Sequence, residues 1–221
     1  MKTVQIAIDG PAGAGKSTIA KRVAKAFNYI YIDTGAMYRA ITLKAMRLNV
    51  NLDDPNEFDF IDSTKFKYDE GNLILDNEDV GQLIRSREVS NNVSLVSSHL
   101  TVRNKTVKRQ QELAKNINVV MDGRDIGTNV LINADFKFFL TASVQTRARR
   151  RYKENLERGI HSTLEDLQRE IEARDKFDTS REHSPLKAAE DAIIIDTSDM
   201  TIDEVVSTIK RKVREDEKHG F

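Results

Sequence analysis

The chain has 221 residues, 39% hydrophobic and 32% charged, the composition of a globular protein with room for one α/β domain and insertions. Lys plus Arg and Asp plus Glu number 35 each, so the formal net charge is zero and argues against coating nucleic acid through bulk positive charge. The absence of cysteine excludes disulfides, thiolate catalysis and cysteine-held zinc.

The opening segment MKTVQIAIDGPAGAG carries a short apolar run that reaches an Asp and glycines too soon for a signal peptide. No run approaches membrane-spanning length, so a cytoplasmic protein is expected. Five β-branched or aromatic runs read as buried strands: Val4–Asp9, Tyr29–Asp33, Ile117–Asp122, Asp135–Leu140 and Ala192–Asp196. Their mostly continuous apolar character fits a parallel sheet covered on both faces. Helical stripes lie between them. Ile19, Ala20, Val23, Ala24 and Phe27 form one, and Val89, Val93, Val96 and Leu100 another. Leu164, Leu167 and Ile171 form a third. The last runs through Ile202, Val205, Val206, Ile209 and Val213, with Thr201 and Glu204 spaced as a capping box. Strands alternating with helices predict a doubly wound α/β core. Residues 52–80 break the rhythm: KFKY and LILD flank a Gly-containing turn, which predicts a β-hairpin in an inserted subdomain.

DGPAGAGKST fits G-x-x-x-x-G-K-[ST] and sets Gly10, Pro11, Ala12, Gly13, Ala14, Gly15, Lys16, Ser17 and Thr18 around the phosphates of a nucleoside triphosphate. Glycines let successive backbone N–H groups curl around an anion, and the following helix aims its positive end at the same place. Lys16 can reach the β- and γ-phosphates, and the Ser17 hydroxyl can ligate magnesium. The motif follows a predicted strand and opens a predicted helix, as its mechanism requires.

A phosphate loop alone fits a GTPase, a helicase-type or transporter ATPase, or a kinase. No N-K-x-D motif is present, which disfavours a GTPase. Arginines at strand ends point to a kinase. IDTGAMYR places Asp33, Thr34 and Arg39 at one carboxyl edge, and MDGRDIGT places Asp122, Arg124 and Asp125 at another. After the fourth strand, Arg147, Arg150 and Arg151 share a helix face expected to meet phosphate, the plainer alternative being a solvated basic face. Arg174, Asp178 and Arg181 follow at i, i+4 and i+7, with Arg174 continuing an apolar stripe. They read as a structural ion pair or as a cleft-facing site. Transfer between two phosphates needs such cations and no general base, since the acceptor is already ionised. His99, His161, His183 and His219 read as surface or structural residues.

With these segments in place, together with EDVGQLIRSREVSNNVS and EARDKFDTSREHSPL, the chain resembles the bacterial cytidylate kinase family from residue 9 to 187. The resemblance implies a P-loop kinase fold: a five-stranded parallel sheet flanked by helices, an inserted monophosphate-binding subdomain with a small β-hairpin or sheet, and a short lid. It implies a core at 1–33 and 115–221 with the lid at about 152–163, and a monophosphate-binding part at 34–114 with its insert at about 52–80. It further implies transfer from ATP to CMP or dCMP with magnesium; a monomer without nucleic-acid or membrane partners is expected. UMP or AMP as acceptor is the alternative. The family's acceptor phosphate is held by residues matching Arg39, Arg124 and Arg181. Its cytosine edge is read by those matching Ser94, Arg103 and Asp125, and its sugar hydroxyls are met by those matching Arg174 and Asp178. Thr34 joins the acceptor set; Lys16, Arg124, Arg150, Arg151 and Arg181 are the catalytic cations. Ser17 stands where many relatives have Gly, so the hydroxyl role falls to Ser17 or to Thr18. Cytosine offers an N4 amino donor that a carboxylate such as Asp125 can accept, whereas uracil offers an acceptor there.

Overall fold

The computed structural model describes residues 3–69, 72–157 and 159–220. Five strands form one parallel sheet: β1 (Gln5–Asp9), β2 (Ile30–Asp33), β6 (Val119–Gly123), β7 (Phe136–Thr141) and β8 (Ile193–Asp196), in the order β2-β6-β1-β7-β8. β1 is central, with Ile8 in register with Asp122 on one side and Phe138 on the other. Ile6, Ala7 and Ile8 are fully buried, which is why β1 reads as an unbroken apolar run. β8 departs from that expectation. It lies at the sheet edge, where Ile194 is 65% exposed.

The chain divides into two compact units, Met1–Ile30 with Ile117–Phe221, and Tyr31–Asn116. In the first, α1 (Lys16–Phe27) buries Ile19, Ala20, Val23 and Ala24. Helices α5 (Val144–Glu157) and α6 (Leu164–Ser180) pair around Ala148, Leu167 and Ile171. Helix α7 (Ile202–Gly220) opens with the expected capping box: Glu204 accepts from the Thr201 amide at 2.7 Å, and Thr201 accepts from the Glu204 amide at 3.3 Å.

In the second unit, α2 (Thr34–Arg47) is buried on two faces. Tyr38, Ile41 and Ala45 pack with Phe58 and Ile61, while Ala36, Met37 and Ala40 pack with Leu73, Leu75, Val80 and Ile84. The small sheet is antiparallel, β3 (Phe66–Asp69) against β4 (Asn72–Leu75), with Phe66 opposite Leu75. A two-residue strand, β5 (Glu78–Asp79), joins β4 as a third member that the alternation was too short to signal. The expected turn at Glu70 and Gly71 lies outside the described residues. The stripe Val89, Val93, Val96, Leu100 is not one helix. It breaks after Val96 into α3 (Arg87–Val96) and α4 (Leu100–Ala114), and Leu100 is 45% exposed at the start of the second. Among the described residues no helix is long and apolar enough to cross a membrane.

Candidate active site

β1 delivers the chain into the glycine loop, and the loop passes it to α1. Gly10 presses on β7: a Cβ there would lie 2.1 Å from the Leu140 carbonyl oxygen, closer than any side chain tolerates. Three consecutive loop carbonyls each accept from a different cation. Arg124 Nη1 donates to Gly10 O at 3.2 Å, Lys16 Nζ to Pro11 O at 2.8 Å, and Arg147 Nη1 to Ala12 O at 3.0 Å. Because peptide units are planar, fixing these carbonyls fixes the orientation of the loop amides.

Helix α1 starts behind the loop with Gly15 at its cap, no side-chain cap bond and no acidic residue in its first turn. α2, α3, α6 and α7, by contrast, are capped by Asp33, Ser86, Thr163 and Thr201. The first amides and the positive end of α1 are therefore left for an anion. Lys16 is only 6% exposed. Burial, and then Arg124, push its ammonium down to about 7, although Asp122, Asp9 and Asp178 pull the other way. The Ser17 hydroxyl donates to Oδ2 of Asp122 at 2.8 Å, and Thr18 is exposed beside it.

Past β6, Arg124 donates from Nε to Oδ2 of Asp178 at 2.9 Å. Arg174 Nε lies 3.7 Å from the same oxygen, and Arg181 Nη1 lies 3.9 Å from Oδ1. Arg124, Arg174, Asp178 and Arg181 are thus brought together. The helical spacing inferred for Arg181 does not hold, because α6 ends at Ser180 and Arg181 is extended at φ −58° and ψ 136°. The chain leaves the helix there, and Arg181 still reaches Asp178. Burial raises the Asp178 carboxyl, but Arg124, Arg174 and Arg181 outweigh it and hold the group below the ordinary carboxylate value.

Asp125 is buried and occupies the cap position of a single wide turn, Ile126–Val130, yet makes no side-chain cap bond to it. Its Oδ2 accepts instead from Asn129 Nδ2 at 3.1 Å. The turn is capped from β1: Asp9 accepts from the Ile126 amide through Oδ1 and from the Gly127 amide through Oδ2, both at 2.8 Å. Burial raises Asp9 to about 6; the two amides oppose that rise, Asp125 adds to it and Lys16 subtracts.

The arginine face expected on α5 separates into three environments. Arg147 is buried and committed to protein: Nε donates to Ala142 O at 2.9 Å, and its terminal nitrogens hold Asp175 at 3.1 and 2.5 Å. With Ala12 O also on it, Arg147 braces the loop. Arg150 donates to Thr197 Oγ1 at 3.1 Å, and Arg151 is exposed. The segment Tyr152–Thr163 covers the end of α5 and the turn into α6, with Arg158 outside the described residues.

In the second unit, taken by itself, Thr34 begins α2 and is buried. Arg39 Nη1 donates to Ser90 Oγ at 2.9 Å, and Ser94 stands one turn further along α3. Arg103 is 2% exposed, donates from Nη1 to Ser97 O at 3.0 Å, and lies 5.4 Å from the ring centroid of Tyr38, the neighbour of Arg39. These contacts gather Arg39, Ser94 and Arg103 around α2 and α3. His99 Nε2 is 2.7 Å from Leu52 O and its ring packs by Phe58, a structural role. Asp9, Ser90 and Asp175 lie inside the segments singled out in the sequence, but their roles were not legible there, because each acts on residues far away in sequence.

A family model described as cytidylate kinase matches residues 6–215. A cytidylate kinase of Halalkalibacterium halodurans is 52% identical over 97% of this chain and 99% of its own length. One from a Geobacillus strain is 55% identical over 96% and 97%. A shikimate kinase from Bacteroides thetaiotaomicron shares the fold at TM-score 0.50 and 15% identity, over 96% of this chain and 98% of the other.

Proposed function

The chain belongs to the cytidylate kinase family, and from that premise we propose how its residues divide the reaction. The enzyme transfers the terminal phosphoryl group of ATP to CMP and dCMP, giving CDP and dCDP.

We assign the donor to Gly10–Thr18. The loop amides and the uncapped start of α1 bind its phosphates, and Lys16 leaves Pro11 O to reach the β- and γ-oxygens. Arg150 and Arg151 serve the same phosphates from α5. The acceptor phosphate goes to Arg39, Arg124 and Arg181, with Thr34 beside it. Ser94, Arg103 and Asp125 read the cytosine, and Arg174 and Asp178 meet the sugar. The observation that carries this reading is the convergence of Arg124, Arg174 and Arg181 on one buried carboxylate. Three guanidiniums against one carboxylate leave an excess of positive charge, which suits a phosphate monoester.

Transfer is in line between two phosphate oxygens. The acceptor oxygen needs no base, so the work of the site is to hold the reactants together and offset charge on the equatorial oxygens. Magnesium, when it enters with ATP, neutralises phosphate charge. The hard oxygens of Ser17 and Asp122 at the head of α1 suit it, with Thr18 as the other hydroxyl, and they would hold it there. We assign the lid to Tyr152–Thr163, which excludes water during transfer, and the monophosphate-binding part to residues 34–114. We assign the enzyme to the cytoplasm, where its substrates ATP and CMP are met, and read it as a monomer.

A coupled assay across CMP, dCMP, UMP and AMP with ATP and magnesium tests the reading. CMP and dCMP are expected as the preferred acceptors; a clear preference for AMP would overturn it.

A further inference from the structure

We propose that Asp9 is a positioning residue for acceptor recognition, capping the turn after Asp125 so that Asp125 faces the acceptor base while Arg124 and Asp125 stay in register with the donor loop. The inference rests on the assignment of Arg124 and Asp125 to the acceptor.

A residue at the start of a helical turn ordinarily turns its own carboxylate onto the turn's open amides. Asp125 holds that place and does not. The carboxylate on the Ile126 and Gly127 amides comes from Asp9, 117 residues away from the first of them. The turn has no local means of satisfying these amides once Asp125 points elsewhere, and a buried amide without an acceptor is costly. Contact between turn and cap is close: a Cβ on Gly127 would lie 3.4 Å from Asp9 Oδ2 and 3.1 Å from Lys137 Cδ. Asp9 is also the last residue of β1, directly before Gly10, and Gly10 O accepts from Arg124. Three bonds therefore tie the Arg124–Gly127 segment to the two residues that begin the donor loop, and two of them belong to Asp9. Its carboxylate is only 4% exposed, so substrate need not touch it; its effect passes through Asp125.

Asp9→Asn keeps the shape but sets an amide group against one backbone N–H. It is expected to raise KM for CMP about tenfold, the equivalent of one charge-assisted hydrogen bond, and to narrow the preference for CMP over UMP by a similar factor. KM for ATP is expected to rise much less than KM for CMP, because no hydrogen bond of Lys16 or of the start of α1 is removed and Lys16 loses only one of the carboxylates that act on it. In an Asp125→Ala background, Asp9→Asn should no longer change the preference between CMP and UMP. Equal weakening of CMP and ATP by Asp9→Asn, or an additive effect on acceptor preference in the double variant, would overturn the proposal. A wild-type measurement covers a variant that does not fold. The Ile126 and Gly127 amides should exchange slowly without nucleotide and slow further with CMP; fast exchange of both, or the same response to ATP alone, counts against it. Asp125→Ala on its own separates the two levels. Equal loss of CMP and ATP in that variant removes the acceptor assignment itself. Selective loss of CMP there, with none in Asp9→Asn, removes only the role of Asp9.

Discussion

Asp178 accepts from Arg124 Nε at 2.9 Å across 54 residues of chain, and the same carboxylate stands within 3.9 Å of both Arg174 and Arg181. Its side chain is 4% exposed, so removing its charge takes from three guanidiniums the buried carboxylate they share. Asp178→Asn is expected to cost about 3 kcal/mol at neutral pH. The pH dependence follows from the lowered carboxyl. A carboxylate held below its unfolded value contributes stability above that value, near about 3.9, and loses it as pH falls through the folded one. Melting curves from pH 7 downward should show the gap between wild type and Asp178→Asn closing below about pH 4. A constant gap to pH 3 would mean the carboxylate contributes nothing through its charge.

Lys16 carries a cost of its own. Burial and Arg124 depress its ammonium from 10.5 to about 7, so the charged form is disfavoured in the folded protein without nucleotide. The unfolded chain then holds the proton more firmly, and this penalty is full below pH about 7 and fades as pH rises toward 10.5. Lys16→Met should therefore melt higher than wild type at neutral pH, by an advantage that disappears near pH 10.5. Turnover should fall by about two orders of magnitude or more. Near-normal turnover would remove Lys16 from the reaction.

The buried Arg147 pairs with the half-buried Asp175 and also reaches Ala12 O in the loop. Asp175→Ala strands the guanidinium and is expected to destabilise the protein by about 3 kcal/mol, with KM for ATP rising as the loop loosens. Pairing it with Arg147→Met should recover much of the stability and little of the ATP affinity. Denaturant titration beside ATP kinetics separates the two effects; full recovery of both would show that the contact with Ala12 O is incidental.

Two glycines should answer differently to alanine. Gly10→Ala sets a methyl group 2.1 Å from the Leu140 carbonyl oxygen, so β1 and β7 must part and ATP binding is expected to be lost. At Gly159, φ is +68° and nothing stands within 4 Å of where the methyl group would sit. Gly159→Ala should lose about 1 kcal/mol of local stability and keep its fold. Equal damage at both sites, read by ATP binding and thermal melting, would contradict this.

The parallel sheet was legible because β1, β6 and β7 are largely buried on both faces and show mostly continuous apolar runs, interrupted in β7 by Lys137. The glycine loop was legible because its spacing follows from the shape of a phosphate. The arginine set was visible as positions, but not as partners: nothing near Arg147 in sequence announces Asp175, and nothing near Asp125 announces Asp9. Those bonds join distant segments, and a local pattern cannot encode them. The break between α3 and α4 was hidden for the opposite reason. Leu100 continues the apolar period of Val89, Val93 and Val96 by coincidence, while Ser97, Ser98 and His99 between them close the first helix with short-range bonds.

The Asp178 cluster also constrains the order in which its members can change over generations. Dropping one guanidinium leaves a carboxylate with two remaining counter-charges, a tolerable intermediate. Dropping the carboxylate first leaves three like charges close together without the carboxylate they share. As far as folding alone decides, descendants should therefore reach a chain without Asp178 only after Arg174 or Arg181 has given up its charge, and the acceptor roles assigned to both arginines close that route while the activity is kept.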